Sequence, residues 1–173
     1  YLINIGVPLR ARLFNRRIMI KRRIIMAITI RNASIDDLDT VSHIEAECFP
    51  KAEAATRNSF EQRLRAFPES FFIAEENGNA IGFIDGCATD SLTIFDEMFD
   101  DISHHKPDGK YQTVFGLDVM PENRKTGIAA ILMEHMINEA RAKGRSGVIL
   151  TCKESLIHYY EKFGYRNLGI SKS

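Results

Sequence analysis

The run Glu122-Asn123-Arg124-Lys125-Thr126-Gly127-Ile128-Ala129 sets two cations and a glycine directly ahead of a long helical pattern. A helix that starts near Gly127 leaves its first backbone N–H groups unpaired and presents the positive end of its dipole. Such an end binds phosphate, and a glycine there removes the Cβ that would hold an anion away from the backbone. Arg124 and Lys125 add charge at the same place, so a phosphate-bearing ligand suits this turn better than a neutral one. The spacing excludes two common phosphate loops, because neither GxxxxGK followed by Ser or Thr nor GxGxxG occurs there.

Other reactive groups have simpler accounts. Asp96, Glu97, Asp100 and Asp101 in FDEMFDD could attract a cation, although a solvated loop face explains them as well. His104-His105 have no partner at ligand spacing, which favours exposed histidines over a metal site; no metal is expected anywhere. Cys152 with His158 could make a thiol nucleophile and its base, but a buried strand cysteine accounts for Cys152.

The elements that must position these groups can be read from periodicity. Ile28 to Asn32 alternates like a half-buried strand. Ser34 with Asp37 resembles a capping box, and Leu38, Val41, Ile44 and Cys48 recur at helical spacing, predicting a helix from about Asp36 to Cys48 that stops at Pro50. Phe60, Leu64 and Phe67 predict a second short helix closed by Pro68. Two apolar runs flank Asn77-Gly78, a tight-turn pair, and predict antiparallel strands over about Phe71 to Glu75 and Ala80 to Ala88. A long polar connection, Asp90 to Gln112, follows, of the kind that is usually functional or mobile. Thr113 to Met120 is a nearly continuous apolar strand, and the helix after Gly127 is apolar around much of its circumference. Strand then helix repeats as Gly147 to Cys152 and Glu154 to Gly164, and Tyr165 to Gly169 restarts a strand. This order predicts an α/β (α+β) fold, a mixed central sheet with helices on both faces.

Composition narrows the classes. The 173 residues fit one domain, and 45% hydrophobic with 27% charged residues describes a globular chain. Residues 1–26 hold 7 of the 23 Lys and Arg and no acid, so residues 27–173 carry a net charge of −7. An acidic body argues against nucleic acid as the main partner. No apolar run reaches about 18 residues, so no transmembrane helix and no membrane partner is expected. Cys48, Cys87 and Cys152 lie far apart with no CxxC, which suits a reducing cytoplasm. The basic opening lacks the apolar stretch of a secretory signal and reads as an extension over residues 1–26 ahead of the domain at 27–173; translated upstream or added residues are one account, a membrane-surface or partner-binding arm another.

Arg124 to Ala129 match R/Q-x-x-G-x-G/A, the pyrophosphate-binding signature of the GNAT superfamily of N-acetyltransferases. Leu117-Asp118-Val119 precede it where that family pairs a strand with the pantetheine arm, and Tyr160 to Tyr165 match its Y-x-x-x-G-F/Y end. The resemblance spans about Ile28 to Gly169. Within the superfamily, FPESFFIAEENGNAIGFIDG and ILTCKESLIHYYEKFGY resemble the arylalkylamine (serotonin-type) branch and its microbial relatives. Three departures stand beside it. The two histidines of the animal enzyme's fourth strand are Phe115 and Met120 here, Lys153 replaces a common Asn, and the chain ends at Ser173 before the family's last strand would be complete, so a missing tail or another segment must complete the sheet edge.

The resemblance implies transfer of the acetyl group of acetyl-CoA to a primary amine by direct attack in a ternary complex. Cofactor contacts then fall to Leu117, Asp118, Val119, Arg124, Lys125, Thr126, Gly127, Ile128 and Ala129. An alkylamine with a pKa of about 10.4 is only about 0.04% neutral at pH 7, so a base or water chain must take a proton. Asp118 and Glu97 are the candidates, against a solvent-facing or motif-capping Asp118 and a loop charge at Glu97. Tyr160, by the family match, protonates the leaving thiolate, with sheet packing as its alternative role, and Tyr159 packs or lines the site. Backbone of Leu117 to Val119 would stabilise the carbonyl charge. Expected partners are a small-molecule amine and, as an assembly, a homodimer. The rival expectations are a non-catalytic acetyl-CoA-binding sensor or interaction module and a protein or peptide N-acetyltransferase.

Overall fold

The computed structural model describes residues 2–9 and 28–170. Its strands are β1 (Leu2–Pro8), β2 (Ile28–Asn32), β3 (Phe71–Glu76), β4 (Asn79–Asp85), β5 (Ala88–Thr89), β6 (Tyr111–Val114), β7 (Gly116–Val119), β8 (Gly147–Lys153) and β9 (Arg166–Ile170). The α-helices are α1 (Leu38–Cys48), α2 (Arg57–Ala66), the single turn α3 (Glu97–Asp100), α4 (Ile128–Ala142) and the short α5 (Ile157–Glu161).

Local chemistry explains most of these boundaries. The Ser34 N–H donates to Asp37 Oδ2 at 2.8 Å, the acid's half of the capping box, and a 3-10 turn over Ile35–Asp37 leads into α1. Thr56 caps α2 by accepting the Ser59 N–H at 3.0 Å. Asn77 and Gly78 take φ of 52° and 81° and close the β3–β4 hairpin.

Strand alternation then distributes β3 and β4 between two cores. Phe71, Ile73 and Phe83 pack with Val41 and Ile44 of α1 and with Phe60 and Leu64 of α2. Phe72, Ala74 and Ile84 pack on the opposite face with Leu132, Met133 and Met136 of α4. Because successive side chains on a strand point to opposite faces, a run of four buried residues needs helices on both sides.

The strands pair in the orders β2-β3-β4-β7 and β5-β6-β8-β1-β9. The expected single strand over Thr113 to Met120 is interrupted at Phe115. Its first half, β6, runs parallel to β8 as far as Val114 opposite Leu150, and its second half, β7, pairs antiparallel with β4. The sheet therefore opens between β7 and β8.

Within the extension expected over residues 1–26, β1 lies between β8 and β9 and pairs antiparallel with both. Ile3 and Ile5 enter the same core as α4, and Asn4 Oδ1 accepts the Ile94 N–H at 3.4 Å. The apolar run Leu2-Ile3-Asn4-Ile5 was a strand signal, overshadowed by the basic residues that follow. With β1 in this slot, a segment from the other end of the sequence completes the sheet beside β8. The remainder of the basic extension lies outside the described residues.

Candidate active site

A cleft of about 690 Å³ opens where β7 leaves β8. Leu117 and Val119 line its strand side, Asn123 to Lys125 and Gly127 to Ala130 line the turn and helix end, and Leu156, Tyr159 and Tyr160 line the opposite wall. Of the expected cofactor residues, only Asp118 and Thr126 are absent from this lining. The Thr126 hydroxyl donates to the Asn123 carbonyl and closes the turn instead. Asn123, Ala130 and Leu156 are lining residues that the motif did not reveal.

The turn has the backbone that an anion cradle needs. Lys125 and Gly127 both take left-handed φ, 64° and 98°. The Ile131 N–H donates to the Gly127 carbonyl at 3.1 Å, so the N–H groups of Ile128, Ala129 and Ala130 ahead of it have no acceptor within α4. Arg124 Nε donates to the Val119 carbonyl at 3.1 Å, tying the turn to the end of β7. These donors fit a pyrophosphate, and among the described residues no strand pairs with the β7 edge turned away from β4, which leaves it to an amide-bearing arm, so the residues present fit acetyl-CoA. Among the described residues no group of three His, Cys, Asp or Glu is placed to hold a metal ion.

Tyr160 stands in the wall across from β7. Burial, reinforced by the neighbouring Tyr159, pushes its phenol well above the ordinary tyrosine value, so it keeps its proton at neutral pH. Its ring packs on Tyr159 at 5.1 Å and on Tyr165 at 5.8 Å between centroids.

The two expected bases part company. Glu97 is exposed at the start of α3 and does not line the cleft. Asp118 is buried, 2% exposed, rather than solvent-facing, and its side chain belongs to the α1 face of β7. There it meets Glu45 of α1, one turn before Cys48, whose Sγ lies 3.4 Å from the Val119 carbonyl. Burial, and next the hydrogen bond with Glu45, push the Asp118 carboxyl up to about 10. Among the described residues Asp118 Oδ2 has no hydrogen-bond donor, as suits a buried carboxyl that keeps its proton. Glu45 was missed, though an acid on the otherwise apolar Leu38, Val41, Ile44 and Cys48 face was a signal.

The histidines also differ from expectation. His105 Nδ1 accepts the Ala88 N–H at 3.2 Å, with its ring 5.0 Å from Phe67, and His104 packs edge-on against Phe95, so both are half-buried structural residues. Cys152 is buried on β8 and His158 is exposed, which leaves no thiol–imidazole pair.

The profile of the acetyltransferase (GNAT) family matches residues 38–165, and the chain belongs to that family. That family is one of acetyltransferases. It is 30% identical over 142 residues to the probable hydrolase YhcX of Bacillus subtilis, covering 77% of this chain but only 27% of that relative. It is 26% identical over 156 residues to the serotonin N-acetyltransferase of Mesocricetus auratus, covering 86% of this chain and 72% of the relative. Among solved structures it is similar to Ard1 of Thermoplasma volcanium, with a TM-score of 0.62, 23% identity, and 80% and 82% of the two chains covered. The fold and the family thus agree with the cleft geometry.

Proposed function

We propose that the chain transfers the acetyl group of acetyl-CoA to a primary amine by direct attack within a ternary complex. The observation that carries this reading is one cleft that joins a bare helix end, a strand edge unpaired among the described residues and a protonated phenol. The N-terminal N–H groups of α4 hold the pyrophosphate, and Leu117 to Val119 offer backbone to the pantetheine arm and the carbonyl oxygen. As the new C–N bond forms and the C–S bond breaks, Tyr160 gives its proton to the departing thiolate.

The amine's proton goes to the carboxyl pair. Asp118 alone is a poor acceptor, because it already holds a proton at neutral pH. Glu45 lies beside it on the face of β7 turned toward α1, and the two carboxyls together are the proposed acceptor. Glu97, exposed and outside the cleft lining, is not the acceptor proposed. Three free cysteines are consistent with a reducing, cytoplasmic setting, and a small-molecule amine is the acceptor class proposed.

The deciding experiment is acetyl-CoA titration by calorimetry, followed by thiol release with arylalkylamines, polyamines and lysine peptides. Micromolar binding with amine-dependent release supports the transferase. Binding without release to any acceptor favours a sensor module, and release only with peptides favours a protein acetyltransferase. Absence of binding overturns the assignment of Arg124 to Ala129.

A further inference from the structure

The parting of β7 from β8 rests on one residue of β4. The Phe115 N–H donates to the Asp85 carbonyl at 2.8 Å, and the next N–H, that of Gly116, donates to Asp85 Oδ1 at 3.0 Å. In a regular strand successive N–H groups point to opposite edges, so two in succession aimed at the same neighbour define a bulge. The Asp85 side chain supplies the second acceptor, without which a half-buried N–H would have no partner on β4. The fit is close: a Cβ on Gly116 would stand 2.8 Å from that same Oδ1.

The other carboxylate oxygen is also engaged. Arg63 Nη1 of α2 lies 3.0 Å from Asp85 Oδ2, with side-chain exposures of 5% and 0%. Burial pushes the Asp85 carboxyl up, and the Arg63 guanidinium with the Gly116 N–H acts against that push. Arg63 reaches further, since its Nη2 donates to the Phe99 carbonyl at 2.9 Å and its guanidinium carbon lies 5.0 Å from the centre of the Phe115 ring. Phe99 in turn packs on Phe115 with ring centres 4.8 Å apart. One buried ion pair therefore joins α2, the 90–112 connection and the break in the cofactor strand.

We infer that Asp85 and Arg63 are positioning residues for acyl transfer: Asp85 Oδ1 holds the bulge that opens the cofactor cleft, and Arg63 locks the 90–112 segment to that bulge. This rests on the acetyltransferase reading of the cleft. It adds a cause for the cleft's shape and couples the segment beside it to cofactor binding.

Two charge-matched double variants separate positioning from stability. Arg63→Met with Asp85→Asn removes the ion pair but keeps an oxygen for the Gly116 N–H; Arg63→Met with Asp85→Leu removes both. Replacing a buried ion pair by apolar or neutral groups of similar volume is often tolerated, so both should fold, the Leu variant with the lower melting temperature because its Gly116 N–H is unpaired. Calorimetry with coenzyme A should show the Leu variant binding at least about tenfold more weakly than the Asn variant, as expected for one lost buried hydrogen bond. KM for acetyl-CoA should rise in the Leu variant more than kcat falls.

Equal coenzyme A affinity in the two double variants, with normal wild-type binding, overturns this inference alone. Absence of wild-type binding overturns the acetyltransferase reading and this inference with it. If the Leu variant does not fold, Gly116→Ala tests the same contact by pushing Asp85 off the N–H, and an unchanged KM for acetyl-CoA then overturns the proposal.

Discussion

The Asp118 carboxyl on β7 and the Glu45 carboxyl on α1 meet within hydrogen-bonding reach, while Glu45 Oε1 also accepts the Ala55 N–H at 2.7 Å. This contact links the cofactor strand to the first helix and to the loop after it. Asp85 pushes in the same direction as Glu45, and Arg124 opposes them.

This pair makes stability depend on pH. An unfolded aspartate loses its proton near about 3.9. Folded Asp118 keeps its proton to about 10. The site's stabilising contribution is fully present below the unfolded value, falls progressively as pH rises, and is lost above the folded one. Its slope reaches up to about 1.4 kcal/mol per pH unit. Asp118→Asn should remove that slope, so denaturant midpoints of the variant should gain on wild type between pH 5 and pH 9. Parallel curves for the two proteins would overturn the raised pKa of buried Asp118.

Glu45→Gln keeps the shape and an acceptor for the Ala55 N–H but removes the second carboxyl of the pair. Turnover should fall by about 10²-fold, the usual scale for a lost proton acceptor, with coenzyme A affinity unchanged. Full activity in this variant would move the base elsewhere.

Gly127 takes φ of 98°, where any Cβ costs roughly 1–2 kcal/mol. Gly127→Glu should abolish acetyl-CoA binding by adding a carboxylate against the pyrophosphate, whereas Gly127→Asn, which tolerates this backbone, should retain measurable binding. Calorimetry on the two separates strain from charge, and equal losses would argue against an anion at this turn.

Tyr160→Phe removes the proton donor and keeps the ring packing. Turnover should drop by about 10²-fold while acetyl-CoA binding stays within a few-fold of wild type. Loss of binding in step with turnover would make Tyr160 a wall residue only.

Ile5 on β1 is 1% exposed in the core beneath α4. Ile5→Ala should cost about 2–5 kcal/mol in equilibrium unfolding, the range for a buried aliphatic truncation. A loss below half a kcal/mol would contradict the placement of β1.

Periodicity and short-range chemistry made much of the chain legible. The β3–β4 hairpin, α1, α2, α4 and the turn from Arg124 to Ala129 follow from alternation, helical spacing, capping residues and a glycine, all signals that act within a few residues. The Tyr160 wall came from its motif. What tertiary structure decided are pairings far apart in sequence: Asp85 with Gly116, Glu45 with Asp118, Arg63 with Phe99, and β1 with both β8 and β9. Periodicity tells which face of an element is buried, but backbone hydrogen bonding is nearly the same for every strand and does not name its neighbour. The break at Phe115 shows the limit most clearly, since an apolar run reads as one strand until a carboxylate from β4 takes the extra N–H and bends it away from β8.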